Sequence, residues 1–370
     1  MPTLLSIFYF FYFAIVGVYV IFMPKVLAMS GYSASEIGII FAAGPLVRFI
    51  LPFAFTRGLK LNAASFNIAL VIMLLSALSF YFSLDSFYRL LLSNIGLGIG
   101  MSLILPYIEL ISLGHIGKER YGKVRLFGSV GFVLVALVLV KVLSEASVAL
   151  DFLLVLSFLT AVFGYVIVKN AYETQQAEKK ETQDINLLAD WKLWLGLTLM
   201  QVSFGSFYNF FTIYETDNGV SLDMTIYLWS FGVLVEIVML YFQGRLLRGN
   251  LLLILQFTTF ITAFRWFLVF AFPQNLGILF FAQSLHALSF ALFHSAAISY
   301  LFVLYQHKSL AQQFFSGITY GLGGFSGALL AGYIYELYPQ YLFLSSAFIA
   351  FGAFVFIYLW SQKSKTKEVV

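Results

Sequence analysis

Apolar runs follow one another along nearly the whole chain, broken only by short polar turns. A helix that crosses a bilayer needs about 20 mostly apolar residues. Windows of that length fall near residues 4–29, 34–56, 61–83, 87–113, 122–143 and 148–168, and again near 192–214, 222–243, 250–271, 274–304, 310–335 and 339–360. In hydrocarbon every backbone N–H and C=O must find a partner within its own segment, so each run is expected to be a helix. A membrane barrel would instead show alternating segments of about 10 residues. Composition agrees: 61% of the 370 residues are hydrophobic and 10% are charged, against about 25% charged in a soluble domain. That leaves too little polar surface for a water-soluble enzyme or a nucleic-acid binder. The net charge of +4 is explained by basic residues beside the spans. With no cysteine, disulfides, thiolate metal sites and cysteine catalysis are excluded. The first run is too long for a signal-peptide core and lacks a small-residue cleavage site, so it is expected to stay in the mature protein.

Charge sets the expected orientation. With the N-terminus in the cytoplasm, most of the 21 basic residues fall on inner loops, from Arg57 and Lys60 through Lys118, Arg120 and Lys123 to Arg245, Arg248 and Lys363. Lys25, Arg89 and Lys141 fall outside. The positive-inside rule then puts both termini in the cytoplasm. The stretch 169–190, with Glu173, Glu178, Lys179, Lys180, Glu181 and Asp184, reads as a solvated cytoplasmic linker. It divides the chain into an N-terminal six-helix bundle over 1–168, a C-terminal six-helix bundle over 191–362, and a cytoplasmic tail over 363–370.

The two halves repeat. Residues 30–48 read SGYSASEIGIIFAAGPLVR and residues 218–236 read NGVSLDMTIYLWSFGVLVE. At one constant offset Gly31 meets Gly219, Ser33 meets Ser221, Gly44 meets Gly232, and Arg48 falls opposite Glu236. Ser33 and Glu36 have the spacing of a capping box. A weaker match aligns Gly128, Gly131 and Phe132 with Gly321, Gly324 and Phe325. The expected fold is therefore all-α and integral to the membrane: twelve transmembrane helices in two bundles related by a pseudo-two-fold repeat. Transporters of the major facilitator type are built this way, with substrate held between the halves near the bilayer midplane.

A charge in mid-span costs about 2.5–3.5 kcal/mol on insertion scales, so such groups face the bundle interior and carry function by default. Five lie here: Arg48, Glu109, Arg125, Glu236 and Arg265, with His286 and His294 beside them in the tenth run. Glu109 and Arg125 sit on consecutive runs joined by a short inner loop, so they can meet, either as a cavity-lining pair or as a structural bridge. Glu236 is the only acid inside the runs of the second half, with Arg265 and His286 as its expected partners. A carboxyl poised between burial and a nearby base can load and release a proton, and a histidine can join the relay. Arg48 reads as an anchor of the second run more readily than as a cavity residue, and His294 is a weaker candidate. In the seventh run Gln201, Phe204 and Tyr208 share a helix face, with Asn209 beside them, a stripe that suits either a ring-shaped substrate or packing. The glycines of the eleventh run, from Gly317 to Gly332, read as a close-packing surface. No nucleophile elbow, His-Glu-x-x-His or Walker lysine occurs, and Asp and His do not cluster for a metal. The reading is not an enzyme, with no cofactor and no metal, driven by an ion gradient.

These residues also carry a family resemblance. Tyr121-Gly122-Lys123-Val124-Arg125-Leu126-Phe127-Gly128-Ser129-Val130 resembles the fifth-span motif of the bacterial 3-phenylpropionate permeases, relatives of lactose permease in the major facilitator superfamily. Tyr227-Leu228-Trp229-Ser230 through Glu236, Arg265-Trp266, and Leu285-His286 through His294 are similar to the same family, in the same order. The resemblance implies a proton symporter in which Arg125 contacts substrate with Glu109 as its partner acid, and Glu236 couples substrate to proton through Arg265 and His286. One departure is Ser289, where lactose permease has a carboxyl; this favours Glu236 as the proton carrier. The superfamily's loop signature is reduced here to Thr56-Arg57-Gly58-Leu59-Lys60.

The expected function is proton-coupled import of a small organic solute by alternating access. An aromatic carboxylate is the first choice, bound by Glu109, Arg125, Gln201, Tyr208 and Asn209. A sugar or nucleoside symporter, an exporter of the same fold, and a non-transporting receptor or lipid-handling scaffold are the alternatives. The expected partners are the small-molecule substrate, protons and the lipid bilayer of the cell (inner) membrane, with no nucleic acid and a functional monomer.

Overall fold

The computed structural model describes residues 1–171, 187–306 and 308–368, and their regular structure is all helical. The chain separates into two compact units, Met1–Lys179 and Lys180–Val370. Most of the linker read at 169–190 lies outside the described residues. Unit 1 contains α1 (Pro2–Met29), α2 (Ala34–Phe55), α3 (Ala63–Phe82), α4 (Phe87–Ile116), α5 (Lys123–Val142) and α6 (Ala146–Asn170). Unit 2 contains α7 (Trp191–Ser203) and α8 (Gly205–Asp217), then α9 (Leu222–Phe242), α10 (Leu251–Ala271), α11 (Leu276–Leu304), α12 (Leu310–Leu337) and α13 (Pro339–Gln362). Among the described residues, 11 helices are long and apolar enough to cross a membrane. The seventh run is the exception, because it breaks at Phe204 into two helices of 13 residues each.

The break lies at a close packing contact. A Cβ on Gly205 would lie 2.6 Å from the Cα of Gly327 in α12. Two backbones meet there with no room for a side chain, next to Phe204, where ψ opens to −10°. Non-α turns recur elsewhere: π-helical stretches run over Val18–Phe22 in α1, Ala287–Leu292 in α11 and Phe315–Leu322 in α12. Such bulges re-aim side chains within a helix that stays hydrogen-bonded.

The connection between α4 and α5 differs from the expected loop. Helical backbone runs unbroken from Phe87 to Val142. A straight helix would hold Glu109 and Arg125 about 24 Å apart, yet Arg125 Nε lies 4.0 Å from Glu109 Oε1. The chain therefore bends sharply back between them.

The turns before α2 and α9 show why the repeat is visible in sequence. Ser33 Oγ accepts from the Glu36 backbone N–H at 3.4 Å, and Glu36 Oε2 accepts from the Ser33 N–H at 2.9 Å, completing the expected capping box. In unit 2 Ser221 Oγ caps Met224 N–H at 3.3 Å. Before each cap a glycine takes the left-handed backbone, φ 91° at Gly31 and 89° at Gly219. Both positions are sterically open, so alanine would meet only the backbone penalty. Gly31→Ala and Gly219→Ala are each expected to cost about 1 kcal/mol. Gly244→Ala, which also faces open space but lacks a positive φ, should be neutral. Thermal melts of the three variants check this.

The packing extends the repeat and corrects its weaker match. A Cβ on Gly131 would sit 2.8 Å from the Phe10 carbonyl carbon, and one on Gly323 would sit 2.9 Å from the Thr198 carbonyl oxygen. A Cβ on Gly17 would meet Val135 Cγ1 at 2.8 Å, as one on Gly205 meets Gly327. Phe10 and Thr198, like Gly17 and Gly205, keep the spacing of the Gly31–Gly219 pair. The helix contacts thus place Gly131 opposite Gly323, one residue away from the Gly324 suggested by matching letters. Glycine-rich text aligns equally well at neighbouring registers, and only the contacted backbone distinguishes them.

Candidate functional site

In unit 2, α9, α10 and α11 bring together the predicted Glu236, Arg265 and His286. Arg265 is fully buried. Its Nη1 is 2.9 Å from His286 Nδ1 and donates to Ser289 Oγ at 3.0 Å, while Nη2 donates to Gln283 Oε1 at 2.9 Å. Its guanidinium carbon lies 4.3 Å from the Trp266 ring centre and 4.6 Å from that of Phe207. Rings facing a cation replace some of its lost hydration. Beyond the histidine, His286 Nε2 lies 3.4 Å from Glu236 Oε2.

These contacts fix the histidine's protonation by elimination. A guanidinium can only donate, so Nδ1 of His286 accepts, and the ring proton sits on Nε2, facing the Glu236 carboxylate. The result is a linear relay of carboxylate, neutral imidazole and guanidinium. Its two charges offset each other through the ring rather than by direct contact. Glu236 keeps some exposure, 18% of its side chain against 7% for His286, so the relay is open at the carboxylate end and closed at the arginine end. Gln283 and Ser289 stand three residues either side of His286, on its helix face. No sequence motif marks Gln283, and Ser289 stands out in the sequence only as a missing carboxyl. The i±3 spacing from His286 was the available signal for both.

The column continues along α11. The His286 ring stacks on Phe290 at 5.3 Å with an interplanar angle of 2°, and Phe290 stacks on His294 at 6.4 Å. His294 Nδ1 lies 2.6 Å from the Tyr320 hydroxyl in the π-helical part of α12. His294 is therefore built into the helix packing rather than joined to the Arg265 group by hydrogen bonds.

The stripe of the seventh run divides by role. Phe204 and Phe207 wall the arginine pocket, with Phe204 5.1 Å from Trp266 and Phe207 5.6 Å from His286. Tyr208 packs on Phe204 at 5.4 Å and lies within electrostatic reach of Arg265. Asn209 donates its amide to the Gly205 carbonyl at 2.7 Å, within its own helix. Gln201 is buried at 7% exposure beside Gly323.

In unit 1, Glu109 and Arg125 meet as expected, though not as a tight fork. Besides the 4.0 Å approach of Arg125 Nε, Glu109 Oε1 accepts from the Tyr121 hydroxyl at 3.0 Å. Arg125 lies over the Phe13 ring at 3.7 Å and near Tyr9 at 5.5 Å. Tyr9 in turn shares a 3.0 Å hydrogen bond with Ser112, and Tyr12 donates to the Met101 carbonyl at 2.9 Å. Arg48, expected to anchor α2, is exposed and has no hydrogen bond or ion pair among the described residues. Tyr12 lies within electrostatic reach of Arg48, Glu109 and Arg125 together. Among the described residues no group of His, Asp and Glu could hold a metal ion.

One buried acid escaped the sequence reading. Glu215 lies one residue past the end read for the seventh run, yet it is fully buried, and neither carboxyl oxygen has a hydrogen-bond partner among the described residues. No local pattern marks it, since its burial is made by helices distant in sequence.

Comparison with known proteins gives a consistent picture. The MFS_1 like family matches residues 3–364. The chain is 25% identical over 379 residues to the "Probable 3-phenylpropionic acid transporter" of Escherichia coli (strain K12), covering 94% of this chain and 95% of that one. It is 25% identical over 344 residues to the "Uncharacterized transporter YwbF" of Bacillus subtilis (strain 168), covering 86% and 82%. Among solved structures, nucleoside transporter NupG superposes with a TM-score of 0.78 at 16% identity, covering 96% of this chain and 98% of that one.

Proposed function

The chain belongs to the MFS_1 like family, is a transporter of the major facilitator type in a multi-pass membrane setting, and on that premise we propose that it is a proton-coupled symporter importing an aromatic carboxylate by alternating access. Under this reading α7 and α8 together make a twelfth crossing, broken at Phe204, and both termini lie in the cytoplasm, the side favoured by the basic residues. The observation that carries the proposal is the buried relay from Glu236 through His286 to Arg265. A carboxylate at the open end of such a relay is the group that can gain a proton while the arginine stays charged. Protonating Glu236 removes the charge that offsets Arg265, and the unit then favours a different set of partners. A substrate anion travelling with the proton keeps the total charge unchanged. The choice of an aromatic carboxylate rests on the ring-lined Arg125 and on the name carried by the Escherichia coli relative.

The deciding experiment is uptake into proteoliposomes under an imposed pH gradient. Labelled aromatic carboxylates, sugars and nucleosides are compared. Accumulation of a carboxylate that follows the gradient is the expected result, and accumulation indifferent to the gradient would end the symport reading. Arg125→Ala is expected to weaken substrate binding by about 10-fold or more, because it leaves Glu109 without its base and removes a polar contact that orients the substrate. Unchanged affinity would remove Arg125 from the site.

A further inference from the structure

We propose that Arg48 is the residue that recognises the substrate's negative charge, taking the carboxylate in unit 1 while Arg125 and Glu109 orient the rest of the molecule. The inference rests on the carboxylate reading above and deepens it. Its starting point is a charge count. Between the ends of the unit 1 spans lie two guanidinium groups, Arg48 and Arg125, and one carboxylate, Glu109. Glu109 approaches Arg125, and the Phe13 ring covers Arg125 at 3.7 Å. Arg125 therefore already has its counter-charge. Arg48 has no hydrogen bond or ion pair among the described residues. A permanently charged guanidinium in mid-span without a counter-ion is costly, and an arriving anion is what would satisfy it.

The geometry of α2 separates Arg48 from the lipid-facing side. At about 100° per residue, Arg48 lies within about 40° of Phe41 and Gly44 on the helix surface. Phe41 packs on Tyr19 of α1 at 4.8 Å, and a Cβ on Gly98 of α4 would lie 2.9 Å from the Gly44 Cα. The exposed apolar residues Ile50 and Phe53, each 51% exposed, lie about 140–200° around the helix from it. Arg48 thus shares the face turned toward α1 and α4, within electrostatic reach of Tyr12. An aromatic carboxylate placed there would have its charge on Arg48 and its ring among the tyrosine and phenylalanine side chains of α1. Arginine's planar fork suits a carboxylate in a way that a lysine ammonium matches only in charge.

The test compares binding of 3-phenylpropionate with that of its neutral isostere 3-phenylpropanamide, by calorimetry on the purified protein. Arg48→Gln and Arg48→Lys are measured beside the unaltered chain. Arg48→Gln is expected to weaken carboxylate binding by about 10- to 100-fold, as for loss of a charged hydrogen bond, while amide binding changes less than about twofold. Arg48→Lys should restore part of the preference for the carboxylate. Thermal stability should be unchanged in both variants, since Arg48 anchors nothing; a drop in Arg48→Gln reversed by Arg48→Lys, with the carboxylate preference intact, would assign it an anchoring role and overturn the proposal. If the unaltered protein prefers the carboxylate and Arg48→Gln keeps that preference, this inference fails and the symport reading stands. If the unaltered protein binds neither compound, the carboxylate reading fails and takes this one with it.

Discussion

Glu236→Gln should abolish uphill transport while leaving a folded carrier that still exchanges substrate. Glutamine keeps the shape of the side chain, and its carbonyl oxygen can still accept from His286 Nε2–H, now 3.4 Å from Glu236 Oε2. It cannot exchange a proton. With one proton carried per substrate, a pH gradient of two units supports accumulation of up to about 100-fold, because each tenfold ratio corresponds to about 1.4 kcal/mol. In the variant that ratio should fall to one, while counterflow of labelled against unlabelled substrate persists. Both are read in the same proteoliposomes. Glu236→Asp shortens the reach to His286 but keeps a titrating group, and should retain part of the accumulation. If Glu236→Gln still concentrates substrate, the proton travels on another group, with Glu109 next to be tested.

The second large effect concerns folding. Gly131→Ala and Gly205→Ala place a methyl group against backbone, 2.8 Å from the Phe10 carbonyl carbon and 2.6 Å from the Gly327 Cα. A flexible side chain could swing away from such a contact; a helix backbone can yield only by moving the helix. Overpacking of this kind costs about 1–3 kcal/mol and occasionally more. Both variants are expected to lose most of their folded yield in detergent and to melt several degrees lower. Gly352→Ala is the control, since its Cβ would meet Leu199 Cδ1 at an ordinary 3.7 Å. Losses at both are what close backbone contact between helices in each unit requires. Tolerance of alanine at both would mean that α1 and α5, and α8 and α12, do not pack backbone to backbone.

Much of this was legible in the residues. Apolar run length placed the membrane helices because the bilayer core has a fixed thickness, and the Gly31 and Gly219 turns were found because a left-handed backbone followed by a serine cap has a local signature. Rarity made the candidate site visible: with so few charges inside the runs, Glu109 and Arg125, and Glu236, Arg265 and His286, had few other residues to meet. Their pairings follow from the cost of an unmatched charge in hydrocarbon, and that cost can be read from a sequence.

The tertiary structure decided what depends on direction and distance. It chose which histidine nitrogen faces the arginine, made Gln283 and Ser289 partners of Arg265, and left Arg48 without the anchor expected of it. It buried Glu215, which stands just past the end of a run and carries no local signal of burial. It also broke the seventh run at Phe204 and moved the partner of Gly131 from Gly324 to Gly323. Length and periodicity are properties of one segment and survive in one dimension. Side-chain direction, burial at a helix end and backbone contact between helices depend on segments far apart in the chain, and they exist only once those segments have packed.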